Sequence, residues 1–149
     1  MRVAIDTSVL AYAEGVNDAD RKSIARRTLA ALTQRELVLP LQVAAELHAV
    51  LTRKLRATPA AAREAVGEWQ ERCAHQPATS EDVLRSAFDL ATRHRFQVFD
   101  AIILSAAAKA GARLLLAEDM QDGFAWRGTV VVNPFAAEPH PLLADALAA

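Results

Sequence analysis

Two short runs in the second half of the chain, LLLA at 114–117 and VVV at 130–132, carry no polar side chain at either alternating position. Successive side chains of a strand point to opposite faces, so such a run must be covered on both sides. That excludes a sheet with one wet face and calls for helices above and below it. RVAID at 2–6 and ELVLP at 36–40 are further short β-rich runs, and helix-forming sequence lies between most of these segments. Strands separated by helices pair in parallel, which makes the chain an α/β protein with a sheet covered on both faces.

The helices announce themselves by periodicity and caps. TSVLAYA at 7–13 is a brief helix stopped by Gly15. In 18–35, Ile24, Leu29 and Leu32 recur at helical spacing, with Asp18 or Asp20 placed as N-cap. In 42–55, Val43, Leu47, Val50 and Leu51 share one face. Thr58 caps a helix with Pro59 at its first position, Ser80 opens a helix over 81–94, and the helix 99–111 ends at Gly111. With 149 residues, 52% of them hydrophobic, the chain can bury one sizeable core, and no linker or repeat divides it. Residues 1–135 therefore read as one domain. The remainder, AAEPHPLLADALAA at 136–149, holds two prolines and is expected to form a loosely packed or frayed tail.

Charge removes some functions from consideration. Seventeen Lys and Arg against eighteen Asp and Glu leave no global field to draw the protein onto nucleic acid, so any such contact needs local patches or a bound cation. The single cysteine, Cys73, excludes an intramolecular disulfide and a Cys-rich zinc site, and reads as a small buried hydrophobe. MRVAID reaches an acid at the sixth residue, which leaves no room for the apolar core of a signal peptide. The most apolar tract, 101–117, is interrupted by Lys109, Gly111 and Arg113. A cytoplasmic protein without a membrane span is expected.

Four acids stand out. Asp6 ends the first strand and Asp119 lies just past LLLA, at the carboxyl edge where open α/β sheets bind ligands. Asp100 heads a helix apolar on every turn, either as its N-cap or as a ligand at that edge. Glu46 borders the apolar stripe of its helix, and buried glutamate is rare unless paired. His48 points to the opposite side of that helix, and the four histidines show no zinc-like spacing. An all-carboxylate set suits a hard cation such as Mg²⁺ or Mn²⁺. Massed carboxylates also repel one another, so such a cluster needs a cation or protons. In the same loop as Asp119, Glu118 should project the other way, while Asp122 either shapes a turn with Gly123 or completes a metal shell through water.

The order VAIDTSVL, an internal helical Glu46, FDAIILSAAAKAG, LLLAEDMQDG and VVVNPF resembles the PIN-domain ribonucleases, most closely toxins of the VapC type, over nearly the whole chain to about Phe135. The resemblance implies a PIN-like three-layer α/β/α fold with a central parallel five-stranded sheet, residues 1–135 being the nuclease domain and 136–149 a C-terminal tail. It further implies a metal-dependent endoribonuclease that leaves a 5′-phosphate and a 3′-hydroxyl, forms a homodimer and is held inactive by a cognate antitoxin. Residue by residue, Asp6, Glu46, Asp100 and Asp119 match the catalytic and metal-binding acids. On that match Asp6, Asp100 and Asp119 are direct or water-bridged ligands of Mg²⁺ or Mn²⁺, and Glu46 binds a second metal or orients the attacking water. Thr7 and Ser8 match hydroxyl positions that either meet a metal-bound water or phosphate oxygen, or cap the helix after Asp6. Phe99 stands where Trp or Tyr is common, and Ala117 where many members carry Ser or Thr.

Arg21, Lys22, Arg26, Arg27 and the group Arg53, Lys54, Arg56 either hold RNA phosphates or form solvated helix faces. The stripe Ala62, Val66 and Trp69 either receives a partner or covers the domain's own core. A non-catalytic PIN-fold RNA- or partner-binding protein is the alternative, and it would be expected to have lost an acid; all four are present. A phosphotransferase with an Asp nucleophile needs a second Asp at the position of Ser8, and no Gly-rich turn follows the first strand to support a Rossmann-type nucleotide site.

Overall fold

The computed structural model describes residues 1–148. In chain order its elements are β1 (Arg2–Ile5), α1 (Thr7–Ala13), α2 (Ala19–Ala31), β2 (Glu36–Val38), α3 (Leu41–Lys54), α4 (Pro59–Arg72), α5 (Glu81–His94), α6 (Val98–Lys109), β3 (Leu114–Leu116), β4 (Ala125–Trp126), β5 (Thr129–Val132) and α7 (Pro141–Leu147). The five strands form one sheet in the order β2-β1-β3-β5-β4. β2, β1, β3 and β5 pair in parallel, as the doubly apolar runs require. β4 is a two-residue edge strand, antiparallel to β5, which the sequence pattern does not show. Arg127 and Gly128 join the two at φ 47° and 91°, positive angles that let a two-residue turn follow the strands' twist.

The core is centred on β1 and β3. Val3, Ala4, Ile5 and Leu114, Leu115, Leu116 are all fully buried. The three leucines of β3 alone contribute roughly 5–9 kcal/mol of gross hydrophobic stabilisation. Two further contacts tie the chain start to the end of α6: Arg2 Nη1 donates to the carbonyl of Ala110 at 2.8 Å, and Arg113 N donates to the carbonyl of Arg2 at 2.8 Å. Every residue from 101 to 107 in α6 is buried, which explains why that helix is apolar all round.

The caps read from sequence are present. Asp18 accepts from the amides of Asp20 and Arg21, Thr58 from Ala61, and Ser80 from Val83. α6 differs. It begins at Val98, and the side chain of Gln97 accepts from the Asp100 amide at 3.0 Å. Asp100 is thus not the N-cap but sits one turn inside, with its carboxylate spared from capping.

One expectation is corrected, and one open alternative is decided. The tail does not fray: Pro141 starts α7 at a position where its missing N–H costs nothing, His140 Nδ1 accepts from the Leu142 amide, and Leu143 and Ala146 are buried. Arg35 fastens the helix by donating to the carbonyls of Ala146, Asp145 and Ala148 at 3.1, 3.4 and 3.2 Å. The stripe on α4 is no free partner face either. Ala62, Val66 and Trp69 are buried in the domain's own core, and Trp69 Nε1 donates to Glu14 at 3.1 Å. Among the described residues no helix is long and apolar enough to cross a membrane.

Candidate active site

Parallel pairing sends the ends of β1 and β3 out at one edge, with Ile5 beside Leu116. The Asp6 amide continues the ladder by donating to the carbonyl of Leu116 at 2.9 Å, and Asp119 follows three positions later. Asp6 occupies the N-cap position of α1 in an extended conformation, yet its side chain makes no capping hydrogen bond. Asp6 is only 5% exposed, and its carboxylate accepts from Ser8 Oγ at 3.0 Å. α3 brings Glu46 from the side: Thr7 Oγ1 donates to one of its carboxylate oxygens at 3.0 Å and Gln42 Nε2 to the other at 2.9 Å. The hydroxyls of Thr7 and Ser8 thus each hold one acid in place. Asp100 reaches the same edge, half-buried, from the first turn of α6.

Four elements far apart in sequence place these acids within electrostatic reach of one another. Burial, then the charge of Asp100 and less strongly that of Glu46, pushes the Asp6 carboxyl up to about 7, against the lowering pull of Ser8 and the Thr7 amide. Burial, then the charges of Glu46 and Asp119, raises Asp100 to about 6. All four offer only oxygen, the donor type of a hard divalent cation. Among the described residues no three acidic, histidine or cysteine side chains stand close enough to close on one ion. A looser arrangement still fits Mg²⁺ or Mn²⁺, since Mg²⁺ keeps several waters and takes only one or two carboxylates directly.

The neighbouring candidates have structural work. Glu118 accepts from Tyr12 OH at 2.7 Å and Arg21 Nε at 2.5 Å. Asp122 Oδ1 accepts from the Asn133 amide at 2.9 Å, tying the loop after β3 to the end of β5. Arg21 also pairs with Asp18, and Arg26 donates to the carbonyl of Ala13. Ala117 is fully buried and extends the ladder by donating its amide to the carbonyl of Val132. Sequence reasoning missed Gln42, whose signal was its place four residues before Glu46 on the same helix face. It also missed a cavity of about 310 Å³ that opens beside Asp100 and Asp119.

Residues 3–124 match the family model of the PIN domain. The chain belongs to the PIN domain family. The matched span of the PIN domain runs from β1 to the residue before β4 and contains all four acids. Among solved structures, this PIN domain is similar to Mycobacterium tuberculosis VapC20, described as a sarcin-ricin loop cleaving toxin, at 22% identity and a TM-score of 0.64, over 78% of this chain and 89% of that one. It is also similar to a chain of Rickettsia felis VapBC2 bound to a DNA fragment from its promoter, at 16% identity and a TM-score of 0.62, over 80% of this chain and 89% of that one. At these identities the likeness is one of fold. No curated protein sequence matches the chain significantly.

Proposed function

We propose that this PIN domain is a metal-dependent endoribonuclease, the toxin of a type II toxin-antitoxin pair, with residues 1–135 as its nuclease domain. Asp6, Glu46, Asp100 and Asp119 are its catalytic acids and hold Mg²⁺ or Mn²⁺. The observation that supports this reading is Asp6 buried at the carboxyl edge of the sheet with its proton affinity raised by burial, Asp100 and Glu46, while Glu46 and Asp119 act on Asp100 in the same way. A fold does not retain a buried, self-repelling acid for stability's sake. The toxin assignment draws on the likeness to the VapC20 and VapBC2 structures, and a small cognate antitoxin, a homodimer and the cytoplasm belong to the same proposal.

When bound, the divalent ion lowers the pKa of a water and neutralises charge on the phosphodiester. The chain's own residues supply the positions. Glu46, gripped at both oxygens by Thr7 and Gln42, has a fixed orientation in which to take a proton from the attacking water. Ser8 fixes Asp6 in the same way. Attack of the water oxygen on phosphorus breaks the bond to the 3′ oxygen and leaves a 5′-phosphate and a 3′-hydroxyl.

The test is cleavage of structured RNA by the purified chain in Mn²⁺, in excess chelator, and by Asp100→Asn. Cleavage is expected in Mn²⁺ alone, and the variant should be slower by orders of magnitude while remaining folded. Equal activity in chelator refutes the metal mechanism, and an inert parent refutes the nuclease.

A further inference from the structure

We propose that Arg95 grips an RNA phosphate at the mouth of the catalytic cleft, in a subsite for one nucleotide beside the bond that is cut, an inference that rests on the ribonuclease reading above. Arg95 ends α5 in the left-handed conformation, at φ 57° and ψ 32°. A β-carbon there is crowded, and glycine is the residue that ends helices cheaply in this conformation. The chain uses that solution after α6, where Gly111 has φ 75°. At the end of α5 it keeps an arginine and bears the strain. Asn17, Arg56 and Arg127 are also left-handed without glycine, so what singles out Arg95 is that its strain is retained beside the cleft.

The surroundings of Arg95 give it no structural use. Arg21, Arg85 and Arg127 each pair with a carboxylate, and Arg35 binds three carbonyls. Arg95 has no ion-pair or hydrogen-bond partner among the described residues. Arg93 already supplies a cation to the last turn of α5, so the helix dipole does not require a second. What Arg95 does line is the cavity of about 310 Å³ shared with Asp100 and Asp119.

That cavity has the parts one nucleotide needs. Its volume lies at the lower end of the roughly 300–1,000 Å³ usual for small-ligand sites. Phe96 and Met120 give it apolar walls against which a base can stack, and Phe96 is held in place by Phe124 with ring centroids 4.9 Å apart. The amide of Gln121 offers a donor and an acceptor for a base edge. Arg95 is the one arginine or lysine among the residues lining it. Four acids at the cleft repel a polyanion, and a guanidinium on the rim offsets that repulsion where the strand enters.

The test measures binding of a fluorescent RNA hairpin with a randomised loop, by anisotropy across a salt series with Mn²⁺. The proteins are Asp6→Asn as a non-cleaving reference and the same chain carrying Arg95→Gly or Arg95→Lys. Arg95→Gly should melt no lower than the reference, because glycine relieves the left-handed residue, yet bind about tenfold more weakly. The slope of log affinity against log salt should fall by about 0.7, the share of one phosphate contact on a single strand, and Arg95→Lys should keep the slope. Equal affinity and slope for Arg95→Gly and the reference overturn the proposal. So does an equal loss in both variants accompanied by lower melting, which would mark a structural role. RNA cleavage by the wild-type chain in Mn²⁺ is measured alongside, so that failure of this subsite is distinguished from failure of the ribonuclease reading, which would remove both.

Discussion

Replacing Asp6 by asparagine should stabilise the metal-free protein at pH 8 and leave it unchanged at pH 5. In the folded state the Asp6 carboxyl is raised from 3.8 to about 7, chiefly by burial. A folded-state pKa above the unfolded one means that the folded protein holds the proton more tightly, so stability falls as pH rises from about 4 and the loss is complete above about 7. Three units correspond to about 4 kcal/mol at pH 8, of which only about 1.5 kcal/mol has accrued at pH 5. Asparagine keeps the shape and an oxygen for the Ser8 hydroxyl, but its new amide protons cost about 2 kcal/mol if they find no acceptor. The balance is a gain of about 2 kcal/mol at pH 8 and about zero at pH 5. Mn²⁺ at a hundred times its Kd should then stabilise the parent by about 2.7 kcal/mol, and most of that increment should be missing from Asp6→Asn. Urea unfolding of both proteins in chelator at the two pH values, then in Mn²⁺ at fixed ionic strength, reads each quantity. A stability difference independent of pH refutes the electrostatic reasoning, and equal metal increments show that Asp6 is no ligand.

Tyr12, the only tyrosine, is pushed up to about 12 by burial and by its hydrogen bond to Glu118, so Glu118→Gln should lower its titration midpoint by ultraviolet absorbance; an unmoved midpoint refutes that contact. Removing residues 137–149 should cost about 3 kcal/mol in urea unfolding, from the exposed Leu143 site and the lost carbonyl partners of Arg35, and an unchanged midpoint would show that α7 does not dock. Light scattering at micromolar concentration should give twice the chain mass of 16.1 kDa, and a single mass contradicts the homodimer.

The sheet and most helix starts were legible because they rest on local chemistry. Residues 114–116 can be buried on both faces, and Asp18, Thr58 and Ser80 are residues whose side chains cap well. The starts of α6 and α7 were not legible, since their caps are Gln97 and His140, residues with weak capping preference. β4 has two residues and therefore no period to detect. In the candidate site, each acid's position relative to a strand end or helix face could be read from sequence. Their partners could not: Thr7 meets Glu46 across 39 positions, a contact that only the packing of α1 on α3 creates. The left-handed turn at Arg95 was equally hidden, because a helix end that uses glycine's conformation without glycine leaves no trace in composition.

The tie between β1 and the far end of the chain also sets a clock on the protein's own synthesis. Arg2 and Ala110 are 108 positions apart, and the pairing of β1 with β3 that aligns Asp6 with the loop of Asp119 lies just beyond. At a translation rate of roughly 5–20 residues per second, roughly 5–20 s pass between the emergence of the first strand and that of its partner. Throughout that interval the growing chain carries Asp6 and then Glu46 without the other half of the edge. On the ribonuclease reading proposed above, the edge that would hold the metal is not assembled until β3 has emerged, and any partner that recognises the finished edge has nothing to bind before then.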